Sequence, residues 1–117
     1  MWRVDYYTEA SGHSPVAKWL DEDLDKKTSA YIYDRLLRLE ENGFKLLSTK
    51  MIRRIEGYGS DFYEVKCRQY RVAMFYHTSS KTFFLLHGFK KERRRERKEL
   101  QLAYVRLNAL RRRLDGI

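Results

Sequence analysis

Residues 2–7 alternate, with Trp2, Val4 and Tyr6 set against Arg3, Asp5 and Tyr7, and a period of two predicts a strand. Ser11-Gly12-His13 breaks the pattern. Ser14-Pro15 reads as a helix start, because serine can cap free amide groups and proline at the first helical position has no amide hydrogen to lose. Val16, Trp19, Leu20 and Leu24 then fall at i, i+3, i+4 and i+8, one face of a short helix. A second helix is predicted over residues 28–42. Ile32, Leu36 and Leu39 form its stripe, Tyr33 and Leu37 widen it, and Asn42-Gly43 stops it. The two resemble a helical hairpin.

After Phe44 the period changes. Residues 51–55 fit a strand and Gly57-Tyr58-Gly59 a turn. Residues 62–67, 70–76 and 82–87 are β-branched and aromatic runs of strand length, joined by Arg68-Gln69 and by residues 77–81, which predicts an antiparallel meander. From residue 92 to 114 the helical period returns. Leu100, Ala103, Leu107, Leu110 and Leu114 form a narrow apolar seam on a long basic helix. The pattern predicts an α+β fold with an N-terminal strand, a helical hairpin, an antiparallel sheet and a long C-terminal helix. All the helices are expected on one face of the sheet.

Composition sharpens this. At 117 residues with one proline and 43% hydrophobic positions, a single domain spanning 1–117 is expected rather than a disordered chain. No apolar run approaches the roughly 20 residues of a membrane span, and Met1-Trp2-Arg3-Val4-Asp5 lacks the pattern of a signal peptide. Cys67 stands alone, which excludes an internal disulfide and a multi-cysteine zinc site; a reducing cytoplasm is the expected compartment.

Charge is divided unevenly. Residues 1–50 carry 8 basic and 9 acidic side chains, whereas residues 51–117 carry 17 basic and 7 acidic ones. The second half therefore holds the whole excess of +9. A field of that sign draws polyanions, unless it serves solubility alone. Interleaved Tyr58, Tyr63, Tyr70, Phe75 and Tyr76 favour nucleic acid, since bases stack on rings.

A hairpin turning through Arg68-Gln69 sets Lys66 opposite Arg71, Val65 opposite Val72 and Tyr63 opposite Met74. The last two pairs, with Cys67, face the helices. Lys66 and Arg71 are expected on the other, exposed face near Phe62, Glu64 and Phe75, so that Arg71→Ala would spare the fold. Two facing cations repel mildly. Either a bound anion relieves that, or the pair is a solvated edge with splayed side chains. His87-Gly88-Phe89-Lys90-Lys91 then ends the next strand. His87 can titrate near neutrality or be structural, and Lys90 and Lys91 emerge where a phosphate could be held. There is no phosphate-cradling glycine loop, His-x-x-x-His pair or Gly-x-Ser-x-Gly elbow, and no metal or cofactor is expected.

Glu64-Val65-Lys66, Tyr70-Arg71-Val72 and Leu85-Leu86-His87-Gly88-Phe89 followed by lysine resemble the phage-derived HigB-like branch of the RelE/ParE toxin superfamily. Family members have Glu-Leu-Arg at the first segment. They also usually carry two lysines one residue after His-Gly-Phe, where this chain has Lys91-Glu92, and then a Lys-Thr-Pro segment, where it has Arg93-Arg94-Arg95 and no proline. The resemblance implies a RelE-like fold and the toxin of a type II toxin–antitoxin pair. Its activity would be metal-independent, ribosome-dependent cleavage of messenger RNA, and its partners mRNA, the ribosome and a helix-turn-helix antitoxin. Arg71 is then the first candidate for a phosphate clamp, Lys66 and Lys91 for charge stabilisation, and His87 and Glu64 for acid–base work. Arg68, Phe75, Tyr76, Lys90, Arg93 and Arg94 are candidate RNA contacts. The alternatives are a ParE-like topoisomerase binder acting through its basic helix and a non-catalytic nucleic-acid-binding module.

Overall fold

A computed structural model describes residues 1–59 and 61–116. Strand β1 (Arg3–Tyr6) leads into α1 (Pro15–Lys18), a π-turn over Trp19–Asp23, and α2 (Lys26–Asn42). A 3-10 segment, Gly43–Leu47, precedes β2 (Ile52–Arg54), β3 (Phe62–Cys67), β4 (Tyr70–His77), β5 (Thr82–Lys90) and α3 (Glu96–Asp115). The sheet order is β1-β5-β4-β3-β2; β2 to β5 are antiparallel, and β1 joins the edge parallel to β5. Among the described residues no helix is long and apolar enough to cross a membrane.

Local signals account for most boundaries. Ser14 caps α1 by accepting from the Ala17 amide, with Pro15 as its first residue. The helix then widens, and the Leu24 amide donates to the Trp19 carbonyl at 3.2 Å, leaving Leu24 in extended backbone beyond the helix. Asp25 caps α2 through the Thr28 amide, and that bond holds its carboxyl below the usual carboxylate range. Ser29, Ile32, Leu36 and Leu39 are the buried stripe of α2.

The hairpin β3–β4 has the expected register, with Lys66 facing Arg71, Val65 facing Val72 and Tyr63 facing Met74. Val65, Cys67, Val72, Met74, Phe83 and Leu85 pack with Val16, Leu20, Ile32, Leu36 and Leu39 of the helical hairpin. Burial in this core pushes the Cys67 thiol up to about 12, so it stays protonated.

The expectation that all helices share one face is wrong. Phe62, Ala73, Phe75, Leu86 and Phe89 on the opposite face pack against Leu100, Ala103, Leu107 and Leu110 of α3. The reason lies in β4 and β5, whose centres are apolar at consecutive positions, as in strands covered on both sides. Leu114, the last member of the predicted seam, is exposed.

Two glycines are dictated by close approach. A Cβ at Gly43 (φ 52°) would overlap the Trp2 ring, and one at Gly88 would overlap the Trp19 ring. Gly88→Ala is therefore expected to destabilise the fold by about 1–3 kcal/mol through overpacking. Combined with Trp19→Leu, it should cost less than the two single changes together, because the smaller side chain makes room. Urea unfolding of the three variants checks this, and simple additivity would refute the contact.

Candidate nucleic-acid interface

The α3 face of the sheet carries two rows of side chains near the β3–β4 turn, most of them polar. One row is Lys66 on β3, Arg71 on β4 and Phe89 on β5; the next is Arg53 on β2, Glu64, Ala73 and His87. A bulge in β5 brings His87 into this row. Ala73 pairs with His87 and Met74 with Leu85, so Leu86 is the extra residue. Without that extra residue the alternation of the strand would carry His87 to the hairpin side.

The first turns of α3 lie over the second row. Glu96 approaches Arg53, with 3.7 Å between Nη2 and Oε1, and Glu99 Oε2 lies 2.7 Å from His87 Nε2. Beneath them Glu64 is fully buried, at 0% exposure. Its Oε1 accepts from Arg53 Nε at 2.9 Å and lies 3.4 Å from Arg71 Nε, while Oε2 has no hydrogen-bond partner among the described residues. Arg71 is only 9% exposed. Its Nη1 donates to the carbonyls of Arg68 at 2.5 Å and Tyr70 at 2.9 Å, tying the turn down. The expectation of an open, dispensable Arg71 is thus corrected: α3 covers this face, and the guanidinium is part of its floor.

His87 is held as tightly. Arg106 Nη1 donates to the Leu86 carbonyl at 2.8 Å and lies 3.1 Å from His87 Nδ1. An arginine can only donate, so Nδ1 accepts and Nε2 carries the proton that goes to Glu99. Burial pushes the His87 pKa below its ordinary value; the bond and charge of Glu99 oppose this, and the Arg106 charge adds to the lowering. The histidine is neutral and bridges β5 to α3.

The remaining cations surround this floor at the same end of the sheet. Arg68 adopts left-handed backbone in the turn (φ 61°) and lies over the Tyr31 ring at 4.2 Å. Lys90 pairs with Tyr70 at the end of β5, and the Lys91 amide donates to the Gln69 carbonyl at 2.6 Å. Arg93 and Arg94 follow in the exposed loop before α3. Lys66, Arg68, Lys90, Lys91, Arg93 and Arg94 make no ion pair among the described residues.

Two expected contacts are not brought here. Phe75 is buried under α3 with Arg111 over its ring, and Tyr76 points to the hairpin side against Phe44 and Phe83. Phe75 is thus enclosed, and Tyr76 is half-buried on the opposite face of the sheet.

Residues 18–108 match the family described as phage derived protein Gp49-like (DUF891). The chain belongs to that family. No curated protein matches it by sequence. Its structure is similar to a chain of the archaeal RelE–RelB complex from Pyrococcus horikoshii OT3, at 22% identity and TM-score 0.59 over 79% of this chain and 97% of that one. It is also similar to the free form of a doubly arginine-substituted E. coli toxin RelE, at 16% identity and TM-score 0.60 over 89% and 94%. At such identities the likeness establishes a RelE-like fold.

In this Gp49-like chain the structure adds Arg53, Glu96, Glu99 and Arg106 to the site. Sequence offered only a weak sign of them: two acids, Glu96 and Glu99, spaced for one helical face inside a basic run. Among the described residues no group of three or more His, Cys, Asp or Glu side chains is placed to hold a metal ion.

Two expected outcomes follow from the floor of the site. Removing one partner of a buried ion pair costs about 3–5 kcal/mol, and Arg53 still faces Glu64, so Arg71→Ala should fall near the low end. Adding Glu64→Gln should restore part of it; urea unfolding decides, and undiminished stability of Arg71→Ala would refute the buried pair. For His87 the folded pKa lies below the unfolded one, so its contribution is complete above about pH 6.5 and falls as pH drops from there towards the folded value. His87→Gln should flatten that part of the stability profile between about pH 7 and 5, and an unchanged slope would show that His87 does not titrate differently on folding.

Proposed function

We propose that this Gp49-like chain is the toxin of a type II toxin–antitoxin pair, an endoribonuclease of the HigB-like kind that cuts messenger RNA on the ribosome without a metal ion. The observation that carries the reading is the set of uncompensated cations around a fixed arginine floor at one end of a RelE-like sheet. The two structurally similar proteins, one the E. coli toxin RelE and one from a RelE–RelB complex, support the toxin role and a protein antitoxin; we take that antitoxin to be of the helix-turn-helix type.

Metal-free cleavage forms a bond from the ribose 2′-oxygen to the adjacent phosphorus and breaks the P–O5′ bond, leaving a 2′,3′-cyclic phosphate and a 5′-hydroxyl. The 2′-oxygen gives its proton to solvent and the 5′-oxygen takes one from solvent, so the protein must align the strand and stabilise added negative charge. Lys66 and Lys91 take that charge. Arg71, fixed by Glu64 and two carbonyls, forms the floor against which the phosphate lies, and Arg68, Lys90, Arg93 and Arg94 hold flanking phosphates. Glu64 is sealed from substrate and His87 is engaged by Glu99 and Arg106, so both support the site and neither transfers a proton.

A second reading, binding to a topoisomerase or another protein without catalysis, has Leu102 and Val105 in its favour, exposed on the outer face of α3. Lys66 separates the two. Lys66→Ala is expected to lower mRNA cleavage by on the order of 100-fold, as loss of one charge stabiliser does, with the fold unchanged. Cleavage by the purified protein with intact ribosomes should persist in EDTA. Loss of cleavage on chelation would indicate a metal nuclease, and full toxicity of Lys66→Ala would favour the binding reading.

A further inference from the structure

We infer that Arg53 is a further substrate-contacting residue, aimed at an RNA phosphate by buried Glu64, and that Glu96 occupies the place this phosphate takes. The inference rests on the RNA-binding reading above and extends the site to β2.

Arg53 stands opposite Glu64 in the β2–β3 register and uses Nε on Glu64 Oε1 at 2.9 Å. That carboxylate is fully buried and cannot follow a moving partner, so the guanidinium plane is fixed at one edge. Its other edge is open, since the side chain is 46% exposed. An arginine pinned in this way offers two donors at little further entropic cost, which is what a phosphate oxygen pair needs.

The open edge already faces an anion. Arg53 Nη2 lies 3.7 Å from Glu96 Oε1, inside ion-pair range but beyond hydrogen-bond length. Glu96 is the first residue of α3 and follows the basic loop of Arg93 and Arg94. A phosphate displacing it would exchange a long carboxylate contact for two short ones, and no side chain would need to be newly buried. Lys66 lies two residues along β3 from Glu64 on the same face, a spacing of about 7 Å. One strand of RNA can therefore meet Arg53 and Lys66 through neighbouring phosphates. Arg54, next in sequence, is opposite Tyr63 on the hairpin side and donates to the Gly59 carbonyl, so it shares the charge of Arg53 but not its position.

The test is binding of a single-stranded RNA oligonucleotide to the full chain, followed by fluorescence anisotropy across a salt series. Arg53→Ala should weaken binding by roughly 10-fold and reduce the magnitude of the salt slope by about 0.7, the signature of one lost phosphate contact. Arg54→Ala should do neither. Glu96→Gln should tighten binding by about 2- to 5-fold, and that gain should vanish when Arg53 is alanine. Arg53→Lys, which keeps the charge beside Glu64 but not the fork, should recover only part of the affinity and serves if the alanine variant fails to fold. Equal effects of Arg53→Ala and Arg54→Ala, or a Glu96→Gln gain that persists without Arg53, would overturn the inference. If Lys66→Ala weakens binding while Arg53 changes do not, this inference alone fails; if neither matters, the RNA-binding reading fails with it.

Discussion

Because Val72–Phe75 and Phe83–Leu86 are apolar at every position, neither face of the sheet's centre can be left to water. The helical hairpin covers one face; α3 must cover the other. Once α3 lies there, any polar side chain on that face near the centre is sealed in and must find a partner or lose stability. Glu64 and Arg71 find each other, and His87 finds Glu99 and Arg106. The apolar requirement of two strands thus decides which charged residues become fixed and which stay free.

Burying a carboxylate against one buried and one half-exposed guanidinium group is not an efficient way to stabilise a fold, since desolvation offsets most of the attraction. Apolar residues of similar volume would serve stability as well. What the arrangement provides instead is position. Glu64 holds arginines from β2 and β4 at fixed separation, and the carbonyls of Arg68 and Tyr70 fix the second of them further. The bulge at Leu86 belongs to the same economy. It frees one carbonyl from the ladder, Arg106 satisfies it from α3, and His87 is turned towards the helix by the same step.

Much of this was legible in the chain. Strand β3 and the start of β4, the hairpin register and the core-facing Cys67 follow from alternation and a two-residue turn, which are local. The signal for the placement of α3 lies in the strands and not in the helix: Val72-Ala73-Met74-Phe75 does not alternate, and a strand with one wet face should. The exposure expected of Arg71 and of Phe75 differs from the structure for that one reason. The positions of Tyr76 and Arg53 depend on the same alternation and could have been counted along β4 and β2. The bulge could not, because a one-residue insertion in a ladder has no signature in an apolar run. The pairing of Glu96 and Glu99 with residues far earlier in sequence is likewise tertiary information that charge patterning within a helix does not contain.

The division between paired and unpaired cations has a kinetic meaning. Arg53, Arg71 and Arg106 are each held by an acid or a carbonyl, so much of their side-chain entropy is spent on folding and little would remain to be lost on binding an anion. Lys66, Arg68, Lys90, Lys91, Arg93 and Arg94 are uncompensated, and their field extends into solvent to a distance set by salt, about 8 Å at physiological ionic strength. On the proposed RNA-binding reading, a polyanion arriving from solution would meet the free charges first, which would raise its encounter rate, and only then reach the fixed ones, which would determine its alignment. Had the acids Glu64, Glu96 and Glu99 been spread along the rim, they would have cancelled the attracting field. Placed beneath and beside the floor, they orient cations while leaving that field intact. Around this site depth therefore says more than net charge: Glu64, Glu96 and Glu99 lie against the sheet, Lys90, Lys91, Arg93 and Arg94 lie outward at its end, and Glu92 is an exposed acid among them.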